Sequence, residues 1–161
     1  MASKLIKFLM IPAVALSLSA CGINSVPTAE EQAKAKWGDV QTYYQRRADL
    51  IPNLVETVKG AAANEQAILT GVVEARAKAT SIQITDSDLG DAAKMQEYAA
   101  AQGALSQNLG RLLATVESYP NIQSNQNYIT LQSQIEGAEN RIAIARRDYN
   151  EAVRSYNTTI R

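Results

Sequence analysis

Few side chains of this sequence can carry chemistry without help from a neighbour. The chain contains no histidine, so the commonest general base and the commonest metal ligand are both missing. No serine lies in a Gly-x-Ser-x-Gly elbow, and no glycine pattern of a nucleotide-binding loop occurs. We therefore expect no catalytic residue, no cofactor and no bound metal.

One arginine pair is a candidate polar cluster. Arg46 and Arg47 precede Asp49, and guanidinium groups bind carboxylates or phosphates through paired hydrogen bonds. The same arginines could instead fasten a reversal of the chain at Pro52 to acidic groups on the last helix. We favour this structural interpretation over a binding site.

A carboxylate pair, Glu136 and Glu139, lies one helical turn apart. Di-metal helical bundles use glutamate at such spacing, but they also need a Glu-x-x-His motif. Because histidine is absent and Arg141 is near in sequence, we expect a solvated face with salt bridges.

The first 20 residues have the pattern of a secretion signal. Lys4 and Lys7 give a positive start, and an apolar stretch follows at 8–18. A membrane-spanning helix would need about 20 apolar residues, which this stretch does not provide. We predict a signal peptide over residues 1–20.

The only cysteine follows directly. The run Leu18-Ser19-Ala20-Cys21 resembles the lipobox of bacterial lipoproteins, in which cleavage leaves the cysteine to receive lipid. A lone thiol in an exported protein otherwise needs a special explanation. We therefore predict lipidation at Cys21, with an ordinary signal peptide and a free thiol as the alternative.

A lipid anchor would fix the location. Two or more acyl chains hold a protein stably on a membrane, and a tether over residues 21–29 would reach no further than about 26 Å. We expect an envelope protein that faces the periplasm, with a partner in or near the same membrane. Gly22 replaces the aspartate that retains enteric lipoproteins at the inner membrane, so the outer membrane is slightly favoured.

The charge balance argues against polyanionic partners. The chain of 161 residues carries 16 basic and 16 acidic groups. Loss of the leader would remove Lys4 and Lys7, which leaves 14 basic against 16 acidic groups. Without a basic cluster, neither nucleic acid nor an anionic lipid surface is an expected partner. The sequence does not indicate an oligomeric state.

Apolar residues at helical spacing predict four helices over residues 30–161. Thr28 and Glu31 fit a capping box, Pro52 fits a first helical turn, and the segments at 81–91 and 118–124 break the pattern. The four predicted stripes contain Ala33, Trp37, Val40 and Tyr44; Ile51, Leu54, Val58, Ala61, Glu65, Ile68, Val72 and Ala75; Met95, Tyr98, Gln102, Leu105, Leu109, Leu112 and Val116; and Tyr128, Leu131, Ile135, Ala138, Ile142, Ala145, Tyr149, Ala152 and Tyr156.

We predict an all-α fold, an antiparallel up-and-down four-helix bundle. The first helix would start near Ala29, the chain would reverse near Pro52, and the second helix would end near Thr80. In the alternative, the first two helices form one long helix kinked at Pro52, which would place Arg47 in the apolar stripe.

Four segments carry a resemblance to the LemA family of bacterial envelope proteins. They are YYQRRADLIPNLVETVKG at 43–60, VVEARAKA at 72–79, ESYPNI at 117–122 and AENRIAIARRDYNEAVRSYN at 138–157. The resemblance implies a membrane-attached four-helix bundle and leaves the molecular role open. Family members usually extend further, so the resemblance leaves open a truncation of the chain at its carboxyl end.

Two functions remain open. The first is a non-enzymatic, lipid-anchored envelope protein that scaffolds or modulates a membrane partner. The second is an envelope sensor that binds a small ligand between helices, suggested by Glu65 and Gln102, which interrupt the apolar stripes.

Overall fold

The computed structural model describes residues 24–60 and 62–161, without the side chain of Ala63. Cys21 and the predicted leader lie outside these residues. Within them the chain forms five α-helices and no strand, which confirms the all-α prediction. The helices are α1 (Ser25–Lys59), α2 (Gln66–Ser81), α3 (Ala92–Val116), α4 (Pro120–Gln123) and α5 (Gln126–Thr159). Short 3₁₀ turns lie at Ala63–Glu65 and Asp86–Asp88.

The start of α1 lies earlier than predicted. The helix begins at Ser25, four residues before the expected start at Ala29. The hydroxyl of Thr28 donates to the backbone oxygen of Asn24 at 2.7 Å, so Thr28 lies inside the first turn and does not cap it. The predicted capping box was wrong, and the latter half of the predicted tether is helical.

The predicted reversal at Pro52 was also wrong, because α1 continues through this residue. Proline has no N–H, so the backbone oxygen four residues earlier, that of Ala48, loses its usual partner. Arg76 of α2 replaces it: its Nε donates to the Ala48 oxygen at 2.7 Å. The helix tolerates an interior proline here because a neighbouring helix satisfies the orphaned carbonyl.

The reversal occurs at the end of α1 instead. The helix ends at Lys59, and Gly60 forms a turn. The alternative of one long helix was therefore right for Pro52 and wrong beyond it. The predicted second helix is divided into the end of α1 and a separate α2, joined through the 3₁₀ turn at Ala63–Glu65.

The chain divides into two compact units. The larger unit comprises residues 39–144, and its apolar core draws on α1, α2, α3 and α5, the four long helices. Residues of this core include Ile51, Leu54 and Val58 of α1, Leu69 and Val72 of α2, Leu105, Leu109 and Leu112 of α3, and Ile135 of α5. The larger unit thus contains a four-helix core.

Hydrogen bonds show that α2 and α3 are antiparallel. Glu65, just before α2, accepts a bond from the hydroxyl of Tyr119 beyond the end of α3. Near the other end, the amide of Gln102 donates to the backbone oxygen of Ala79. The start of α2 therefore meets the end of α3, as an up-and-down arrangement requires.

Local capping explains where two helices begin. The Asp91 carboxylate accepts from the backbone N–H groups of Ala93 and Lys94 and caps α3. The side chain of Asn125 does the same for α5, accepting from Asn127 and Tyr128. Each cap satisfies N–H groups that have no partner within the helix.

The smaller unit comprises the described residues 24–38 and 145–161. Its centre is an aromatic pair, Trp37 and Tyr149, whose ring centroids lie 5.1 Å apart at an angle of 55°. Trp37 and Ala145 are buried, in agreement with the apolar stripes predicted for these two helices.

Candidate functional site

The centre of the larger unit holds a buried cation, Arg47, with no exposed surface. One guanidinium nitrogen donates to Glu139 Oε1 at 2.8 Å and to Ser106 Oγ at 2.6 Å. The other donates to Gln102 Oε1 at 2.6 Å and to the Gln102 backbone oxygen at 3.3 Å. These bonds join α1 to α3 and α5.

Gln102 extends the network to the remaining long helix. It is 5 % exposed, accepts from Arg47, and donates to the backbone oxygen of Ala79 at the end of α2. The guanidinium carbon also lies 5.2 Å from the ring centre of Tyr44, a favourable cation–π distance. One buried charge is therefore linked to all four long helices.

The prediction for this cluster was half right. Arg47 does bind an acidic group on the last helix, Glu139, but not to fasten a reversal at Pro52. Glu136 lies on the exposed face, as predicted, where it accepts a bond from Gln132. Glu139, with a side chain 35 % exposed, belongs instead to the buried network. We assign the Arg47–Glu139 pair a structural role, because the two charges neutralise each other.

A cavity of about 700 Å³ lies beside this network, between α1, the end of α2 and α3. Its buried floor consists of Tyr44, Ala48, Ala79, Tyr98 and Gln102, and its more exposed rim includes Gln41, Thr42, Gln45, Arg46, Asp49, Leu50, Thr80 and Gln83. Ligand pockets in proteins commonly measure about 300–1,000 Å³. The size is therefore suitable for a small molecule.

The tyrosines of the floor form an edge-on pair. The ring centroids of Tyr44 and Tyr98 lie 5.7 Å apart at 76°, which is a favoured aromatic geometry. Burial, together with the neighbouring Tyr44 phenol, raises the pKa of Tyr98 to about 12, although Arg47 and Gln102 oppose the shift. Tyr98 therefore stays a neutral phenol at physiological pH.

Most polar groups around the cavity are already paired within the protein. Gln41 donates to the backbone oxygen of Ile84 at 2.8 Å, and Gln45 donates to Asp49 at 2.7 Å. Within the described part of the chain, Arg46 and Gln83 are the lining polar side chains that form neither a hydrogen bond nor an ion pair. Both are exposed, so the rim offers one free cation and one free amide.

The two residues that suggested a ligand have internal partners. Glu65 accepts from the Tyr119 hydroxyl at 2.8 Å, which raises the pKa of that phenol. Gln102 belongs to the Arg47 network. Of these two residues, only Gln102 lines the cavity. Gln102 therefore indicated the region of the cavity, and Glu65 did not.

Sequence reasoning missed several members of the site. Tyr98 was assigned to an apolar stripe, and Arg76, Ser106 and Gln83 drew no attention. Arg76 could have been found from Pro52, because an interior proline always leaves a carbonyl that needs a donor. No sequence signal marks Gln83, which lies in the loop after α2. The predicted lipidation site, Cys21, lies outside the described residues.

The part of the chain that the structure describes contains neither a metal-binding cluster nor a membrane-spanning helix. No group of three or more cysteine, aspartate or glutamate side chains is placed to hold a metal ion. Among the helices of residues 24–60 and 62–161, none is both long and apolar enough to cross a membrane.

The fold and the site together define an all-helical protein with a four-helix core, a buried arginine paired within that core and an open polar cavity beside it. The family model named "LemA family" matches residues 36–161. The chain belongs to the LemA family.

The chain is also similar to three magnetosome proteins. The chain is 31% identical to the magnetosome proteins MamQ 1 and MamQ 2 of Paramagnetospirillum magneticum, and 29% identical to MamQ of Magnetospirillum gryphiswaldense. Each alignment covers 85% of this chain and 56% of the relative. The chain thus spans about half the length of these relatives.

Proposed function

We propose that this chain is a lipid-anchored envelope protein, without enzymatic activity, that scaffolds or modulates a membrane partner. The observation that carries the proposal is the start of α1 at Ser25, only four positions after Cys21. A chain of that length spans no more than about 14 Å. A lipid on Cys21 would therefore hold the start of α1 close to the membrane surface. We place that surface on the periplasmic side, with the outer membrane slightly favoured.

The chemistry of the described residues supports a role without catalysis. The central charges, Arg47 and Glu139, neutralise each other at 2.8 Å. The Ser106 hydroxyl does donate to the Glu139 carboxylate at 3.1 Å, but that carboxylate is already paired with Arg47 at the centre of the larger unit. The MamQ relatives are named for the magnetosome and not for a reaction, which is consistent with a structural or regulatory role.

The test compares three forms of the full-length protein in intact cells: the natural chain, Cys21→Ser, and a form with a flexible 20-residue Gly/Ser linker inserted between Asn24 and Ser25. Such a linker adds a mean separation of about 25 Å and leaves the anchor in place. Each form is photo-cross-linked from an exposed position of α5, and its neighbours are identified by mass spectrometry.

We expect one dominant membrane neighbour for the natural chain, with cross-linking reduced in the linker form and lost in Cys21→Ser. If Cys21→Ser cross-links the same neighbour as efficiently as the natural chain does, tethering is not the basis of function. Turnover of a substrate by the purified protein, abolished by one substitution, would refute the absence of catalysis.

The cavity favours a second candidate function, an envelope sensor that binds a small ligand in the larger unit. Its support is the cavity of about 700 Å³ between three helices, beside the charge network that joins all four. A ligand there would contact α1, α2 and α3 together and could alter their packing. A thermal-shift screen of envelope metabolites that shows no stabilisation would contradict this candidate.

A further inference from the structure

The rim of the cavity presents charges of both signs from a single helix. Arg46 and Asp49 are three residues apart on α1, and such residues are neighbours on a helix surface. Both line the cavity and both are exposed, yet they form no ion pair with each other. A ligand can therefore reach each of them.

Arg46 and Asp49 differ in the hydrogen-bonding capacity that they have left for a ligand. Arg46 has no hydrogen-bond partner in the described residues, and its guanidinium can donate two parallel bonds to a carboxylate. Asp49 accepts a bond from Gln45 at one oxygen, Oδ1, and a carboxylate has capacity for further donors. The rim thus combines an unused donor with an acceptor of spare capacity.

The signs of these charges restrict the ligand. A simple anion at Arg46 would also face the Asp49 carboxylate, and a simple cation at Asp49 would face the guanidinium. A molecule with a carboxylate and an ammonium group would satisfy both without a like-charge contact. Free amino acids and short peptides have this pair of groups at their ends.

The rest of the cavity suits the body of such a molecule. The amide of Gln83, which has no partner in the described residues, can bond to a peptide group. The floor supplies the rings of Tyr44 and Tyr98 with Ala48 and Ala79, against which an apolar side chain can pack. A volume of about 700 Å³ accommodates a dipeptide.

We propose that this cavity binds a zwitterionic amino acid or short peptide, its carboxylate at Arg46 and its ammonium group at Asp49. The proposal rests on the second candidate function and names the class of ligand for it.

The experiment is calorimetric titration of the full-length protein in detergent micelles. The probes are a panel of dipeptides with free termini, including L-alanyl-L-phenylalanine, together with the N-acetylated and C-amidated form of each member. Inorganic phosphate and a neutral disaccharide are added as probes of the other ligand classes. Amide chemical shifts of residues lining the cavity locate the binding.

We expect at least one free dipeptide to bind and both blocked forms to bind about tenfold more weakly, since each lacks one charge-assisted bond. Arg46→Gln should weaken binding of the free dipeptide by about tenfold as well, with little further effect of C-amidation. Arg111→Gln removes an exposed arginine from α3, outside the cavity, and should bind as the natural chain does.

Three results would overturn the proposal. Equal binding of free and blocked dipeptides would remove the role of the charges. Binding of phosphate or the disaccharide at the cavity, without any dipeptide, would refute the zwitterion and leave the second candidate function intact. A panel in which no probe shifts the resonances of the cavity would count against both.

Discussion

At the scale of single residues, Arg47 depends on one carboxylate. Arg47 is fully buried. Among the described residues, its anionic partner is Glu139. Removing one member of a buried pair leaves the other charge uncompensated, at a cost of about 3–5 kcal/mol. Because Arg47 cannot reach water while Glu139 partly can, the loss of Glu139 should be the more damaging change to the charge balance.

We expect Glu139→Gln to lower the free energy of unfolding by about 3 kcal/mol, measured by urea denaturation. Glutamine keeps the shape and one acceptor oxygen, so the change isolates the charge. Glu136→Gln, one turn away on the exposed face, is the matched control and should change stability by less than about 0.5 kcal/mol. If the two substitutions lower the free energy of unfolding equally, the buried guanidinium of Arg47 does not depend on the charge of Glu139.

The buried phenol of Tyr98 predicts sensitivity to alkali. Burial raises its pKa to about 12, whereas an unfolded tyrosine titrates near about 10. Below about pH 10 the phenol keeps its proton in both the folded and the unfolded chain, so its contribution to folding stability does not change with pH. Between pH 10 and 12 the unfolded chain releases the proton first, so stability falls.

Urea unfolding between pH 9 and 12 measures this effect. We expect the natural chain to lose stability over the interval and Tyr98→Phe to lose less, because phenylalanine has no proton to release. The comparison concerns the slope with pH and not the stability at pH 7. Parallel slopes for the two proteins would show that the Tyr98 phenol does not contribute to alkaline unfolding.

The sequence predicted which residues of the site share a helix face, but not which residues pair with one another across helices. Periodicity placed Gln102 and Tyr98 on one face of α3, because helical spacing determines which residues share a face. The long-helix alternative also placed Arg47 in the apolar stripe, but periodicity did not show which groups of other helices would accept hydrogen bonds from its guanidinium. Ser106 and Glu139 lie 59 and 92 residues away, and a local pattern carries no information about such pairs.

At the scale of elements, α1 depends on α2 at its interior proline. Arg76 supplies the hydrogen bond to Ala48 that Pro52 cannot make. Arg76→Met should therefore destabilise the protein by about 1–2 kcal/mol, the cost of an unsatisfied carbonyl that is partly buried. In a Pro52→Ala background the restored N–H binds Ala48 itself, and the same change should cost much less.

A double-mutant cycle of Arg76→Met and Pro52→Ala, by chemical denaturation, measures this coupling. Lys78→Met serves as control because Lys78 is an exposed cation of the same helix, and its effect should be the same in both backgrounds. If Arg76→Met costs the same with and without Pro52, the helix does not need the donated bond.

The sequence predicted helices well where apolar periodicity and caps agree. The start of α3 follows from Asp91, and the segment around Pro120 ends that helix as expected. The break after Lys59 was missed because Gly60 and three alanines do not interrupt the pattern. The sequence predicts a break at Pro52 because an interior proline leaves a backbone carbonyl without its donor. The residue that supplies this donor, Arg76, lies in another helix.

At the scale of the whole molecule, the family match covers residues 36–161. These residues include both the four-helix core and the lining of the cavity. The predicted leader and Cys21 precede the matched residues.

Membership of the LemA family and the helical core agree with the expectations from sequence. The proposed anchor depends on Cys21 and is tested by the cross-linking comparison. The proposed ligand depends on Arg46 and Asp49. The two proposals can therefore fail independently.

The network around Arg47 also determines which alignment of the helices is allowed. Apolar stripes that repeat every seven residues fit one another nearly as well when a helix slides by one repeat, about 10 Å. Such a slide would separate the guanidinium from Ser106, Gln102 and Glu139 together and leave it among apolar side chains. A variant with leucine at position 47 and an apolar residue at position 139 could therefore gain stability and lose its single, unique packing.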